Sequence, residues 1–130
     1  MMFHKPAKGE AFLASKKRRA ERVAHERGIM DQVKRLDRTC RYPHCEHMAK
    51  KPRLEVAHVR HRGMGGNPTG DRTTAAELIT YCFIHHDEYD HGTMYHEPLT
   101  PRGTRGPCAF YRIHQETGEK IHVASERETR

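Results

Sequence analysis

Two short pairs of soft ligands, Cys40-x4-Cys45 and Cys82-x2-His85, constrain this chain more than any other feature. Zinc takes four tetrahedral nitrogen or sulfur ligands, usually delivered as two close pairs. Cys40 and Cys45 bracket a tight turn that contains Pro43, and Cys82 and His85 stand two residues apart. A turn aims both members of a pair at one point. The pairs meet when the segment between them folds back as a hairpin. The expectation is a structural zinc on Cys40, Cys45, Cys82 and His85, with His44, His47 and His86 as alternatives for the fourth place. The bland alternative is that the cysteines are ordinary small core residues. Cys108 falls outside the pattern and reads as a small buried residue in a strand.

A chain of 130 residues makes one small domain. With 35% hydrophobic residues, 7% aromatics and no Trp, its core is thin. A metal or a partner subunit then becomes a useful source of stability. Met1–Glu10 is polar and basic, without the apolar stretch of a secretory signal, and no run approaches a membrane span. These features argue against a membrane protein and point to the reducing cytoplasm, where paired cysteines bind metal more often than they form disulfides. The net charge of +7 favours a polyanionic partner. Twelve histidines supply metal ligands and groups that move protons near neutral pH.

Three segments differ in texture, and together they predict one α+β domain. Residues 1–37 form a basic helical extension. From Lys8 to about Leu36 there is dense charge, no proline and a loose apolar stripe of Val23, Ile29, Met30, Val33 and Leu36, with Gly28 as a point where the run can divide into two helices. Lys16, Lys17, Arg18 and Arg19, with Arg22, suit phosphate contact or a solvated helix face. Residues 38–96 form the centre: a cysteine knuckle, a strand at Arg53–Val59, a loop at Arg60–Arg72, a short element at Leu78–Tyr81 and a helix from near His85. Residues 97–130 carry a turn-rich link, PLTPRGTRGP, and then a β-hairpin of Cys108–His114 with Lys120–Ser125.

The central third holds LEVAHVRHRGMGG (Leu54–Gly66), in which an apolar strand delivers His58 into a glycine-rich turn. With the cysteine pair, with Arg62-Gly63-Met64-Gly65-Gly66 and with Leu78-Ile79-Thr80-Tyr81-Cys82 before His85-His86, this stretch resembles the HNH endonuclease family. The run RGMGGNPTGDR, Arg62–Arg72, looks like small HNH proteins of phages and prophages. The resemblance covers somewhat under half of the chain. It implies a ββα-metal (HNH) core with a structural zinc, a basic N-terminal helix and a C-terminal β-hairpin.

The same resemblance implies an endonuclease that nicks or cuts double-stranded DNA in a bacterial host cell, leaving 5′-phosphate and 3′-hydroxyl ends. His58 maps onto the general base. Imidazole, with an ordinary pKa of about 6.5, can take a proton from the attacking water. A catalytic divalent cation, Mg²⁺ or Mn²⁺ or another, offsets charge on the phosphate. Its ligands map onto His86 and, one turn on, His91, with Asp90 as the alternative. Glu77 stands where the family has a bracing Asn, and Ala57 where it has a metal-binding Asp or His. Arg60, Arg62 and Arg72, with the basic helix, are expected to grip the DNA backbone. Ala57 and Glu77 support a rival: a zinc-stabilised DNA-binding protein with a decayed site. An accessory subunit working with other phage DNA-processing proteins is a second rival. An RNA nuclease ranks lower, because external water as nucleophile needs no 2′-hydroxyl.

Overall fold

The computed structural model describes residues 8–58 and 74–127. The charge-dense run forms one unbroken helix, α1 (Lys8–Asp37), about 45 Å long at 1.5 Å per residue. The expected division at Gly28 does not occur. A helical glycine costs about 1 kcal/mol relative to alanine, and packing of the turn that follows outweighs that. Ile29, Met30 and Val33 pack with Val56 and Leu78 as one apolar cluster. Val23 and Leu36, the outer members of the stripe, are exposed. The helix ends at Arg38, which adopts a left-handed conformation (φ 66°) and closes back from its N–H to the Lys34 carbonyl. From Gly9 to Glu21 every residue is exposed, so the first half of α1 stands off the body as a charged arm.

The knuckle from Cys40 to Lys50 leads into strand β1 (Leu54–His58), which pairs antiparallel with β2 (Leu78–Cys82). Helix α2 (Phe83–Asp90) follows β2 directly, beginning two residues earlier than expected. Strand alternation sorts the two faces of this pair. Val56 and Leu78 face α1, whereas Ala57, Ile79 and Tyr81 join the larger core with Cys40, Cys82, Met94, Cys108 and Phe110. Cys108 is buried in a strand, as expected.

The C-terminal hairpin of β4 (Cys108–Ile113) and β5 (Lys120–Ser125) is present, but it belongs to a three-stranded sheet. The third strand, β3 (Met94–Pro98), pairs antiparallel with β4. It lies where the sequence reading placed no element, just before the turn-rich link, and a segment boundary at 96/97 falls inside it. Five residues ending in proline carry little periodic signal. Met94 and His96 turn inward, and Tyr95 and Glu97 outward. Within the link, Gly103 (φ 62°) lies so close to Ala76 that an added Cβ would sit 2.4 Å from its carbonyl oxygen.

A balanced ionic junction ties the three parts together. The Asp37 carboxylate, 5% exposed, pairs with Arg41 at 3.2 Å and with Arg105 at 3.0 Å, and accepts the Thr80 N–H at 3.1 Å. Arg41 also meets Glu126 at 2.6 Å and donates to the Thr104 and Gly106 carbonyls. Arg105 donates to the Leu78 carbonyl at 2.9 Å. Two cations and two carboxylates, with spare donors spent on backbone carbonyls, meet the condition for a buried ion network to persist.

His96 is 3% exposed and pairs through Nδ1 with the Tyr81 hydroxyl at 2.8 Å. Burial, with the Arg41 charge second, lowers its pKa to about 4. Unfolding restores the ordinary value near 6.5, so the unfolded chain binds the extra proton between those values. Stability from this residue is therefore complete above pH 6.5 and declines as pH falls towards 4, by up to about 3 kcal/mol. Urea unfolding from pH 7 to 4 should show wild type losing more stability than His96→Gln. A difference between the two that stays constant over that range would refute the assignment.

Candidate metal centre and the face beside it

Three thiols and one imidazole converge where the knuckle, the end of β2 and the start of α2 meet. The sulfur and nitrogen atoms of Cys40, Cys45, Cys82 and His85 all lie within 4.8 Å of one another. His85 Nδ1 is 3.4 Å from Cys40 Sγ, 3.4 Å from Cys45 Sγ and 3.3 Å from Cys82 Sγ, and the Cys45 and Cys82 sulfurs are 3.8 Å apart. Tetrahedral zinc with bonds of about 2.0–2.3 Å places sulfurs about 3.8 Å apart and sulfur about 3.5 Å from nitrogen. The donor set therefore fits a metal ion such as zinc. Among the described residues it is the one cluster of three or more such donors.

Electrostatics favour a cation there. Burial pushes the Cys40 thiol up to about 12 and raises Cys45 as well, so without added positive charge these sulfurs keep their protons. Burial lowers the pKa of His85, which keeps its imidazole neutral and able to ligate. Cys82 is the N-cap of α2, and its sulfur accepts the His85 N–H at 3.4 Å. The His85 ring is held from one side by Tyr42, stacked at 4.1 Å. The Arg112 guanidinium lies over Tyr42, donates to its hydroxyl and pairs with Glu88 of α2.

The competitors for the fourth position lie elsewhere. His44 is exposed with φ 52°, and His47 holds its ring tilted against that of His85, 5.1 Å between centroids. His86 turns to the other side of α2, since successive helical residues differ by about 100°. Its Nδ1 meets Glu55 Oε1 of β1 at 3.1 Å and its Nε2 meets Asp90 Oδ2 at 3.4 Å. His91 points away from that group, with Nδ1 2.7 Å from the Asp87 carbonyl.

His58 is the last residue of β1 and is exposed. Its cross-strand partner is Leu78, so the two leave the sheet on the α1 side, while Glu55 and Ala57 face α2. The Tyr89 hydroxyl of α2 donates to the His58 carbonyl at 3.2 Å, drawing the strand end against the helix. Glu77 directly precedes Leu78, beside that same end. Ala57 is fully buried and offers no donor. Lys16, Lys17, Arg18 and Arg19 are exposed on the arm of α1. Arg60, Arg62 and Arg72, and the glycine-rich turn, lie outside the described residues. Sequence reasoning does not single out Glu55; the period of two that puts it on the face of Ala57 is the signal that could have found it.

Comparison with protein-family models, curated proteins and solved structures found no match. Among the described residues no helix is long and apolar enough to cross a membrane.

The thiolate cluster predicts that purified protein carries about one zinc per chain and that Cys45→Ser or Cys82→Ser loses it. Chelation should lower Tm by more than about 10 °C, because metal binding is then part of folding. Metal analysis and thermal unfolding with and without chelator check both. Unchanged unfolding after complete metal removal would show that the cluster is merely packed.

Proposed function

We propose that this protein is a small endonuclease of the HNH type that hydrolyses phosphodiester bonds in double-stranded DNA. One observation carries the reading: the hydrogen bond from Tyr89 to the His58 carbonyl holds the strand end that bears this exposed histidine against the helix that bears His86 and Asp90, with the His58 side chain leaving the sheet on the other face. The order of antiparallel pair then helix, the thiolate cluster beneath it and the basic arm are in keeping with the resemblance of residues 40–92. In this reading His58 takes the proton of the attacking water. In the same reading Glu77 stands in the place of the family's bracing Asn.

The residues present fit a divalent cation on the α2 side. His86 Nε2 and a carboxylate of Asp90 offer a nitrogen and an oxygen donor partly open to solvent, while His91 turns to the Asp87 carbonyl. Such an ion would offset charge on the phosphate and on the leaving 3′ oxygen.

Supercoiled plasmid with Mg²⁺ or Mn²⁺ should be nicked, with activity lost in EDTA and reduced by about 10² to 10⁴-fold in His58→Ala. No nicking with any ion would overturn the enzyme reading. The absence of a donor at Ala57 favours one second reading, a DNA-binding or accessory protein of a phage DNA-processing machine. DNA binding equal in wild type and His58→Ala, without cleavage by either, identifies it.

The arm of α1 should supply affinity without sequence readout. Replacing Lys16, Lys17, Arg18 and Arg19 with alanine should weaken binding evenly across DNA sequences. The slope of log affinity against log salt should fall by about 0.9 for each phosphate that is no longer neutralised, so by up to about 4. Fluorescence anisotropy over a salt series measures this, and an unchanged slope would exclude the arm.

A further inference from the structure

We infer that the cleft between the end of α1, residues 102–107 of the link and the residues just after β5 is a binding site for a phosphate monoester. The cleft encloses about 580 Å³, inside the range of roughly 300–1,000 Å³ usual for small-ligand sites. Arg41, Arg102, Arg105 and Arg127 line it, together with the carboxylates of Asp37 and Glu126. Four guanidiniums less two carboxylates leave an excess of two positive charges among these residues. The C-terminal end of α1 forms part of one wall and offsets about half a charge of that excess. A phosphate monoester, carrying about −1.5 to −2 near neutral pH, balances what remains. A single carboxylate or a single phosphodiester falls short of it. Neither His58 nor any residue of α2 is among the described residues lining the cleft, so the site is independent of the nuclease reading.

The two carboxylates do not oppose an anion strongly, because each of their oxygens already accepts from donors of the fold. Asp37 Oδ1 meets Arg41 Nη1 at 3.2 Å and Arg105 Nη1 at 3.0 Å, and Oδ2 accepts from Arg105 Nη2 and from the Thr80 N–H, both at 3.1 Å. Glu126 Oε1 accepts from Arg41 Nη2 at 2.6 Å and from the Cys108 N–H at 3.0 Å, and Oε2 from Arg41 Nε at 3.2 Å. With the Thr104 and Gly106 carbonyls as further acceptors, Arg41 has spent all its N–H groups and contributes charge, not a contact. Arg105 gives Nε to the Ala75 carbonyl and a second Nη2 hydrogen to that of Leu78, which leaves one N–H on Nη1 in a side chain already held in place. Arg102 and Arg127 are exposed at the opening, where a guanidinium fork matches two phosphate oxygens. Leu36 and Pro107 add an apolar edge against which the organic part of a monoester can lie.

The test titrates the zinc-loaded full chain with inorganic phosphate, with thymidine 5′-monophosphate and with a short DNA strand that carries or lacks a 5′-phosphate. ¹H–¹⁵N spectra should show saturable shifts at the Gly106 N–H and the Arg105 Nε–H, with Kd below about 1 mM for at least one monoester. Arg102→Gln and Arg127→Gln should each weaken binding about tenfold at unchanged Tm. Alanine at Lys16, Lys17, Arg18 and Arg19, about 25 Å or more along α1 from Leu36, should change it less than about twofold. Shifts with the two small probes assign a free ligand, and shifts confined to the 5′-phosphorylated strand assign a DNA end; both uphold the site. Equal binding of the two strands with no response to either small probe would overturn it, as would full affinity in either arginine variant. Should a variant lower Tm, the wild-type shifts decide alone, and shifts confined to the arm of α1 would then refute the site.

Discussion

The convergence of Cys40, Cys45, Cys82 and His85 is the constraint on which the rest of the molecule hangs. It joins the knuckle after α1 to the junction of β2 and α2. With donors from separate turns fixed around one point, α2 has little freedom to rotate. That fixes which of its residues point inward. Tyr42, Arg112 and Glu88 extend the constraint outward, so the second sheet is registered against the same helix. A thin core can tolerate this arrangement because polar order replaces part of the missing apolar burial.

Adjacent histidines on α2 consequently serve two unlike environments. His85 is buried among sulfurs and stacked on an aromatic ring, whereas His86 is half-buried between carboxylates from two elements. The rotation of about 100° per residue makes this division automatic once one of the two is pinned. On the opposite side of the β1–β2 pair, α1 contributes Ile29, Met30 and Val33 to the core and extends the other way as a polar rod. A projecting helix of that composition owes its shape to helix-favouring residues and to the anchored end. The proposed division of labour follows: an anchored end that supports the sheet and a free end whose charge suits a phosphate backbone.

The sequence reads most clearly where chemistry is local. Ligand pairs with short spacing, the alternation of Cys108–Ile113 and Lys120–Ser125, and the apolar strand before His58 each depend on neighbours a few residues away. β3 has no such signature, because Met94–Pro98 is short and acquires meaning only through β4. Gly28 misleads in the other direction, since its local cost is smaller than the packing of the turn that follows. The Asp37–Arg41–Arg105–Glu126 junction is silent in the sequence too. Its members come from both ends of the chain, and charged residues are common throughout.

What the sequence determined alone is the donor inventory: which soft ligands occur as pairs, where a strand can deliver a histidine, and where positive charge is dense. These are properties of spacing and residue type. Tertiary structure alone decided the assignments among similar candidates. It chose His85 over His44, His47 and His86 for the thiolate cluster, brought Glu55 to His86 and turned His91 aside. The physical reason is that a ligand or hydrogen bond is made by direction as well as identity, and direction is set by which face of a strand or helix the surrounding core leaves free.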